Sequence, residues 1–192
     1  MDISQFIVSN NYQKGGLKNL GATCYINTLI QCLCSCSYFV NFILSDVYEN
    51  RLNNENMNLI TELKSIISNL SDGNSLIPIR FLKVLKLKFD FIDINEQNDL
   101  HEILLLILNK MNEEIKVKDP IEYFDSNILR GTINDNNTDY TKIRNKCYQM
   151  WYEMHKKEYS ELVELFYGQS ISQIICGHCN YIHHNNRLCW LC

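Results

Sequence analysis

The stretch from Cys24 to Leu44 restricts the fold more than any other part of this 192-residue chain. It is the most apolar segment, yet Asn27, Gln31, Ser35 and Asn41 recur along it at close to four-residue intervals. That interval puts polar side chains on one stripe of an α-helix, so the segment reads as a single buried helix running to about Leu44 and not as a membrane span. A second helix is predicted over 57–70. There Leu59, Ile60, Leu63, Ile66, Ile67 and Leu70 keep helical spacing, and Ser71-Asp72-Gly73-Asn74 supplies a stop. Pro78 can open a short third helix, after which Leu85, Leu87, Phe89 and Phe91 alternate with Lys86, Lys88 and Asp90 as a strand would. Over 99–115, Leu100, Ile103, Leu104, Ile107, Met111 and Ile115 form one helix face, and Leu105, Leu106 and Leu108 widen it until its middle is buried nearly all round.

Between 116 and 146 the pattern dissolves into clustered Gly, Asn and Asp, which reads as a long surface loop or insertion with room for one short helix. Helical spacing returns over 143–166. Gly168 then precedes Ile171, Ile174 and Ile175, the start of a strand. The chain is expected to be α+β, with a lead-in at 1–14, a helical part at 15–165 and a β segment at 166–192.

Charge and cysteine content narrow the setting. A formal charge of −4 argues against the basic stripe that nucleic-acid binding needs. A chain of this length can bury a core without disulfides, so its nine cysteines call for chemistry. The opening M-D-I-S-Q-F-I-V-S-N has no basic region and no sustained apolar run, unlike a secretory signal. Reduced thiols or metal ligands in the cytoplasm or nucleus are the expectation, with no membrane involved.

The densest motif runs from Gly15 to Leu33. A glycine-punctuated loop delivers Cys24 to a helix start, where unpaired N–H groups favour a thiolate and make a nucleophile. Asn19, on the same loop, can turn its amide toward a developing oxyanion. Cys32, Cys34 and Cys36 read as packing residues of that helix, and Cys147 has no assigned role. Asp99 and Glu102 fit an N-terminal capping pair on the 99–115 helix. Cys176-x2-Cys179 is a metal half-site, since tetrahedral zinc takes four ligands. Cys189 and Cys192 offer a second pair, which is either a compressed zinc site or an accident of the terminus, with His178, His183 and His184 as lesser substitutes.

Three stretches together resemble a known family. Gly16 to Thr28 is similar to the cysteine box of the ubiquitin-specific proteases, the papain-like deubiquitinases. Gln97-Asn98-Asp99-Leu100-His101-Glu102-Ile103-Leu104 resembles their glutamine-aspartate-glutamate helix start, and Leu165 to Gln169 with Cys176-Gly177-His178-Cys179 resembles the entry to their zinc-bearing fingers. The resemblance covers most of 15–180. It implies a mostly helical thumb at 15–165, the beginning of β fingers at 166–192, and a palm largely missing. It further implies that Cys24 attacks the carbonyl ending ubiquitin's Gly-Gly tail, that Asn19 stabilises the oxyanion and that Asp99 hydrogen-bonds the tail, with Glu102 structural. The partners implied are ubiquitin or ubiquitinated proteins, and the only cofactor a structural zinc.

One element of that family does not appear. A cysteine nucleophile needs a base, normally histidine, and no stretch here matches the family's histidine box. His101 follows Asp99, His155 is expected on an exposed helix, and His178, His183 and His184 belong to the fingers. No base is named, and the chain is expected to be truncated and to be inactive or poorly folded unless a second polypeptide supplies the palm. A remnant that binds ubiquitin or acts as a decoy is the alternative. A zinc-knuckle nucleic-acid module is disfavoured by the acidity, although Tyr181, Arg187 and Trp190 lie nearby.

Overall fold

The structure, a computed structural model, describes residues 15–52, 57–93, 95–118, 120–124, 139–179 and 181–190. The chain divides into two compact units, 1–116 and 117–192.

The first unit is helical: α1 (Cys24–Ser35), α2 (Ser37–Leu44), a 3-10 turn at Glu49–Arg51, α3 (Leu59–Ser71), α4 (Ile79–Lys88) and α5 (Leu100–Ile115). Packing of α3 against α2, α4 and α5, and of α1 against α2 and α5, builds its core. Ile26, Ile30, Phe39, Ile43, Leu63, Ile67, Leu85 and Ile107 are all buried there, each such side chain contributing about 1.5–3 kcal/mol.

The single helix expected over 24–44 is two helices bent by 88°. Cys36 between them is extended (φ −86°, ψ 99°), and its N–H closes back on the Leu33 carbonyl at 3.1 Å. Ser35 Oγ donates to the Gln31 carbonyl one turn earlier, a local bond of the kind that bends helices. The break also ends the continuous polar stripe, and Asn27 and Asn41 are both buried. No single helix among the described residues is long and apolar enough to cross a membrane.

The strand expected over 85–91 is also overturned, because its first residues are the last turn of α4. Phe81, Leu82, Val84 and Leu85 are buried at helical spacing, while Leu87 and Phe91 point to solvent. The alternation came from counting two exposed apolar residues as inward ones. Helices α3 and α5 match their predicted spans closely. The N-terminus of α3 is capped from a distance: Glu114 accepts from the backbone N–H groups of Leu59 at 2.9 Å and Ile60 at 3.1 Å. Burial raises the Glu114 carboxyl above its ordinary value, and those two donors oppose the rise.

The second unit contains a 3-10 turn at Pro120–Tyr123, α6 (Asp139–His155), α7 (Glu161–Phe166) and the strands β1 (Tyr167–Ile175) and β2 (Ile182–Trp190). Residues 125–138 of the expected long loop lie outside the described residues. Helical spacing predicted through 143–166 is divided at Ser160, which is extended and accepts from the Leu162 N–H at 3.2 Å as the cap of α7. Phe124, Tyr159 and Val163 are buried, with Tyr148, Trp151, Tyr152 and Tyr167 packed around them. His155 corrects another expectation: it is 7% exposed, not on a solvated face. Its ring lies 4.4 Å from that of Trp151 and 5.5 Å from that of Tyr167. The inner face of α6 is aromatic, and the histidine falls on it.

Strands β1 and β2 form an antiparallel hairpin in continuous register, from Tyr167 opposite Trp190 to Ile175 opposite Ile182.

Candidate active site

The loop 15–23 is pinned before it reaches α1. Gly15 N–H donates to the Leu70 carbonyl at 3.0 Å, and a Cβ on Gly15 would stand 2.0 Å from the Asn74 carbonyl oxygen, so only glycine allows that approach. Leu17 forms an isolated parallel bridge with Leu76. Beyond it, buried Thr23 organises the turn: its hydroxyl donates to Asn19 Oδ1 at 3.0 Å and accepts the Leu20 N–H at 3.0 Å. Asn27, one turn into α1, donates from Nδ2 to the Lys18 carbonyl at 3.2 Å. Gly21, at φ +102°, lets the chain reverse between these ties.

Cys24 emerges from this arrangement as the first residue of α1, and it is exposed. Because Thr23 holds the Asn19 side chain by its oxygen, the amide nitrogen is the end left to donate elsewhere. Tyr25 connects this site to the second motif: Asn98 Nδ2 donates to Tyr25 Oη at 3.0 Å across 73 residues of sequence. Asp99 follows as the cap of α5, accepting on Oδ1 the N–H groups of His101 at 2.8 Å and Glu102 at 3.1 Å. Both its carboxylate and Glu102 are exposed. The two motifs are thus joined through the residues that follow Cys24 and precede Asp99. Thr23, Asn27 and Asn98 carry no site role in the sequence reading. For Asn98 a signal existed, an amide directly before the capping aspartate.

A groove of about 320 Å³ runs along the same face of α1, lined by Leu17, Asn27, Thr28, Gln31, Cys32 and Ser35. Cys32 is exposed there and is not a packing residue. Cys34 is buried, with its thiol pushed up to about 11 by that burial, and Cys36 is half-buried at the helix break.

The cysteines of the second unit separate. Cys176 and Cys179 are exposed at the hairpin tip, where the Cys176 N–H donates to the Tyr181 carbonyl at 2.9 Å. Backbone N–H groups of His178 and Cys179 hold the Cys176 thiol below its ordinary value, the environment a metal-binding thiolate uses. The register sets Cys189 opposite Gly168, which at strand rise is about 23 Å along the hairpin from Ile175. The compressed four-cysteine site is therefore not what this hairpin offers: zinc–sulfur bonds of about 2.3 Å cannot bridge that separation. Cys192 lies outside the described residues. Among the described residues no third His, Cys, Asp or Glu joins the pair, so it fits two corners of a tetrahedral zinc.

Fold and site together define a class: a helical domain presenting one exposed cysteine on the first residue of a core helix, followed by a β hairpin with a cysteine knuckle. The family model described as ubiquitin carboxyl-terminal hydrolase matches residues 15–187, and the chain belongs to that family. It is 29% identical to ubiquitin carboxyl-terminal hydrolase 7 of Saccharomyces cerevisiae, with 88% of this chain and 16% of that protein covered. With the human ubiquitin carboxyl-terminal hydrolase 2 the identity is 28%, over 86% of this chain and 27% of the relative. The chain thus spans between about a sixth and a quarter of these relatives. Among solved structures, it is similar to the SAGA Ubp8/Sgf11/Sus1/Sgf73 DUB module bound to ubiquitin aldehyde. The TM-score is 0.57 and the identity 17%, covering 96% of this chain and 36% of that one. That likeness supports the fold, which is part of a ubiquitin-specific protease domain.

Proposed function

We propose that this chain carries the nucleophile-bearing part of a thiol-dependent deubiquitinase. The observation that carries the reading is the placement of Cys24, exposed on the first residue of α1 beside a loop whose Asn19 is oriented by Thr23. In this reading the Cys24 sulfur attacks the carbonyl at the end of ubiquitin's Gly-Gly tail. The oxygen gains negative charge, and the Asn19 amide donates to it. Collapse breaks the C–N bond, the proton given up by the Cys24 thiol leaves on the amine nitrogen, and a thioester on Cys24 remains for water to hydrolyse. Asp99 keeps one carboxylate oxygen beyond its capping bonds and would accept from the tail's backbone N–H groups.

Among the described residues the Cys24 sulfur has no hydrogen-bond partner, and the reading therefore assigns no base. That same observation favours a second reading, binding of ubiquitin without turnover. Zinc belongs to the proposal as a structural ion: Cys176 and Cys179 would supply two of its thiolates, fixing the hairpin tip and taking no part in the reaction.

A ubiquitin derivative with a C-terminal electrophile tests the first reading. It should form an adduct on Cys24 that Cys24→Ala abolishes, and Asn19→Ala should slow adduct formation about 10²–10³-fold, the usual cost of one oxyanion donor. Absence of an adduct overturns it. Ubiquitin binding that survives Cys24→Ala, with no turnover by the unmodified chain, decides for the second.

A further inference from the structure

Helix α4 buries Phe81, Leu82, Val84 and Leu85 and turns Arg80, Lys83 and Lys86 to solvent, with no acidic residue along its length. Between α3 and α4 lies a notch of about 80 Å³, lined by Met57, Glu62, Arg80, Lys83 and Val84. Buried Glu62 accepts from Arg80 Nη2 at 2.8 Å, which fixes the guanidinium at the rim while 83% of the Arg80 side chain stays exposed. One carboxylate thus offsets one guanidinium. Lys83 has no ion-pair partner among the described residues, and Lys86 follows one turn later. At the two ends of the same face Ile79 and Leu87 are 44% and 65% exposed, about 12 Å apart at helical rise.

A cationic rim around an apolar floor selects among partners. A second copy of this face would set like charges against one another. A bilayer is too flat to reach Met57 and Val84 inside the notch, and the cations interrupt the continuous apolar face that an interfacial helix needs. A nucleic-acid backbone would pair with the cations and leave the floor and both apolar ends uncovered. We propose that this face docks a short acidic segment of a partner protein, one aliphatic side chain seated in the notch and carboxylates on Arg80, Lys83 and Lys86. A contact of this size is transient, steered by charge and weakened by salt. Because α4 lies outside the loop and helices that carry Cys24 and Asp99, the proposal does not depend on the deubiquitinase reading.

Fluorescence anisotropy with the full chain tests it. A short fluorescein-labelled peptide of glutamate and aspartate around one central leucine should bind saturably below about 1 mM. The Lys83→Glu/Lys86→Glu variant should weaken that binding about tenfold or more, and Lys83→Gln/Lys86→Gln, which adds no new charge, should weaken it less. Exchanging the peptide's leucine for asparagine should cost about tenfold. Lys142→Glu, an exposed charge reversal on α6, should change nothing, and circular dichroism should show unaltered helix content in every variant. Equal loss in Lys142→Glu, or equal affinity for the leucine and asparagine peptides, overturns the docking site. Tighter binding of phosphatidylserine vesicles or single-stranded RNA, abolished by the Lys83→Glu/Lys86→Glu variant, overturns the choice of an acidic peptide. No saturable peptide binding up to about 1 mM overturns the proposal outright.

Discussion

The two units bury different kinds of surface. In the first, mostly aliphatic side chains on five helices meet one another with Phe39, Phe42, Tyr48 and Phe81 set among them, and the buried carboxylate of Glu114 finds two backbone donors. In the second, a cluster of tyrosine, phenylalanine and tryptophan closes around His155, whose Nε2 is buried with no hydrogen-bond partner among the described residues. Aliphatic packing is non-directional, and a unit built from it tolerates approximate spacing. Aromatic side chains with polar handles need particular partners, and one buried nitrogen without a partner makes the packing depend on protonation.

The largest test of that difference is truncation of each core. Phe124→Ala removes the ring that meets Tyr148, Tyr152 and Tyr159, with an expected cost of about 3–5 kcal/mol, against about 2–5 for Leu63→Ala. Hydrogen exchange should show the first lowering protection in α6 and β1 and the second in α3 and α5. Losses spread equally over both units for either variant would break the comparison.

Next in size is the long-range cap. Glu114→Ala leaves the Leu59 and Ile60 N–H groups without their acceptors, at an expected cost of about 1–3 kcal/mol. Glu114→Gln keeps one acceptor and should cost less. Equal costs in denaturant melts would mean that the carboxylate fills space and does not cap α3.

Acid should move the two units in opposite directions. Burial holds the His155 imidazole below its ordinary 6.5, so the neutral ring is the one the fold accepts. Its contribution is complete above 6.5 and is lost as the pH falls through the lowered value. Glu114 is raised above its ordinary 4.5, so its charge is a penalty at neutral pH that acid removes as the carboxyl protonates. Between pH 7 and 5, exchange near 155–167 should accelerate relative to exchange in 59–70, and His155→Phe should erase the acceleration. A uniform response would sink this contrast. Smallest of all, breaking the exposed Lys110–Glu113 pair, 2.7 Å apart on α5, with Glu113→Gln should change stability by no more than about 0.5 kcal/mol.

Helices α3 and α5 were legible in the sequence because their apolar spacing is long and their stops are strong. The break at Cys36 was not: polar residues every four positions fit one helix or two, and the Ser35 back-bond acts at a single turn. His155 was misplaced because the aromatic residues that bury it include Tyr167, which follows α7. At the candidate site, Cys24 and Asp99 stand out by local chemistry, a cysteine after a glycine loop and an aspartate before an apolar helix. The Asn98–Tyr25 bond joining them spans 73 residues, and the Glu114 cap spans 55. Pairings of that range carry no periodic signature. The division between Cys176 and Cys189 depends on hairpin register, which spacing alone leaves open.

Gly21 adds a constraint of a different kind. At φ +102° the backbone has a hand that L-residues resist, yet a Cβ placed there meets nothing within 4 Å. The obstacle to a side chain before Cys24 is chirality and not crowding. A D-alanine introduced by chemical ligation would match the existing torsion and narrow the shapes open to the free loop, whereas its mirror image would force the same turn to unwind.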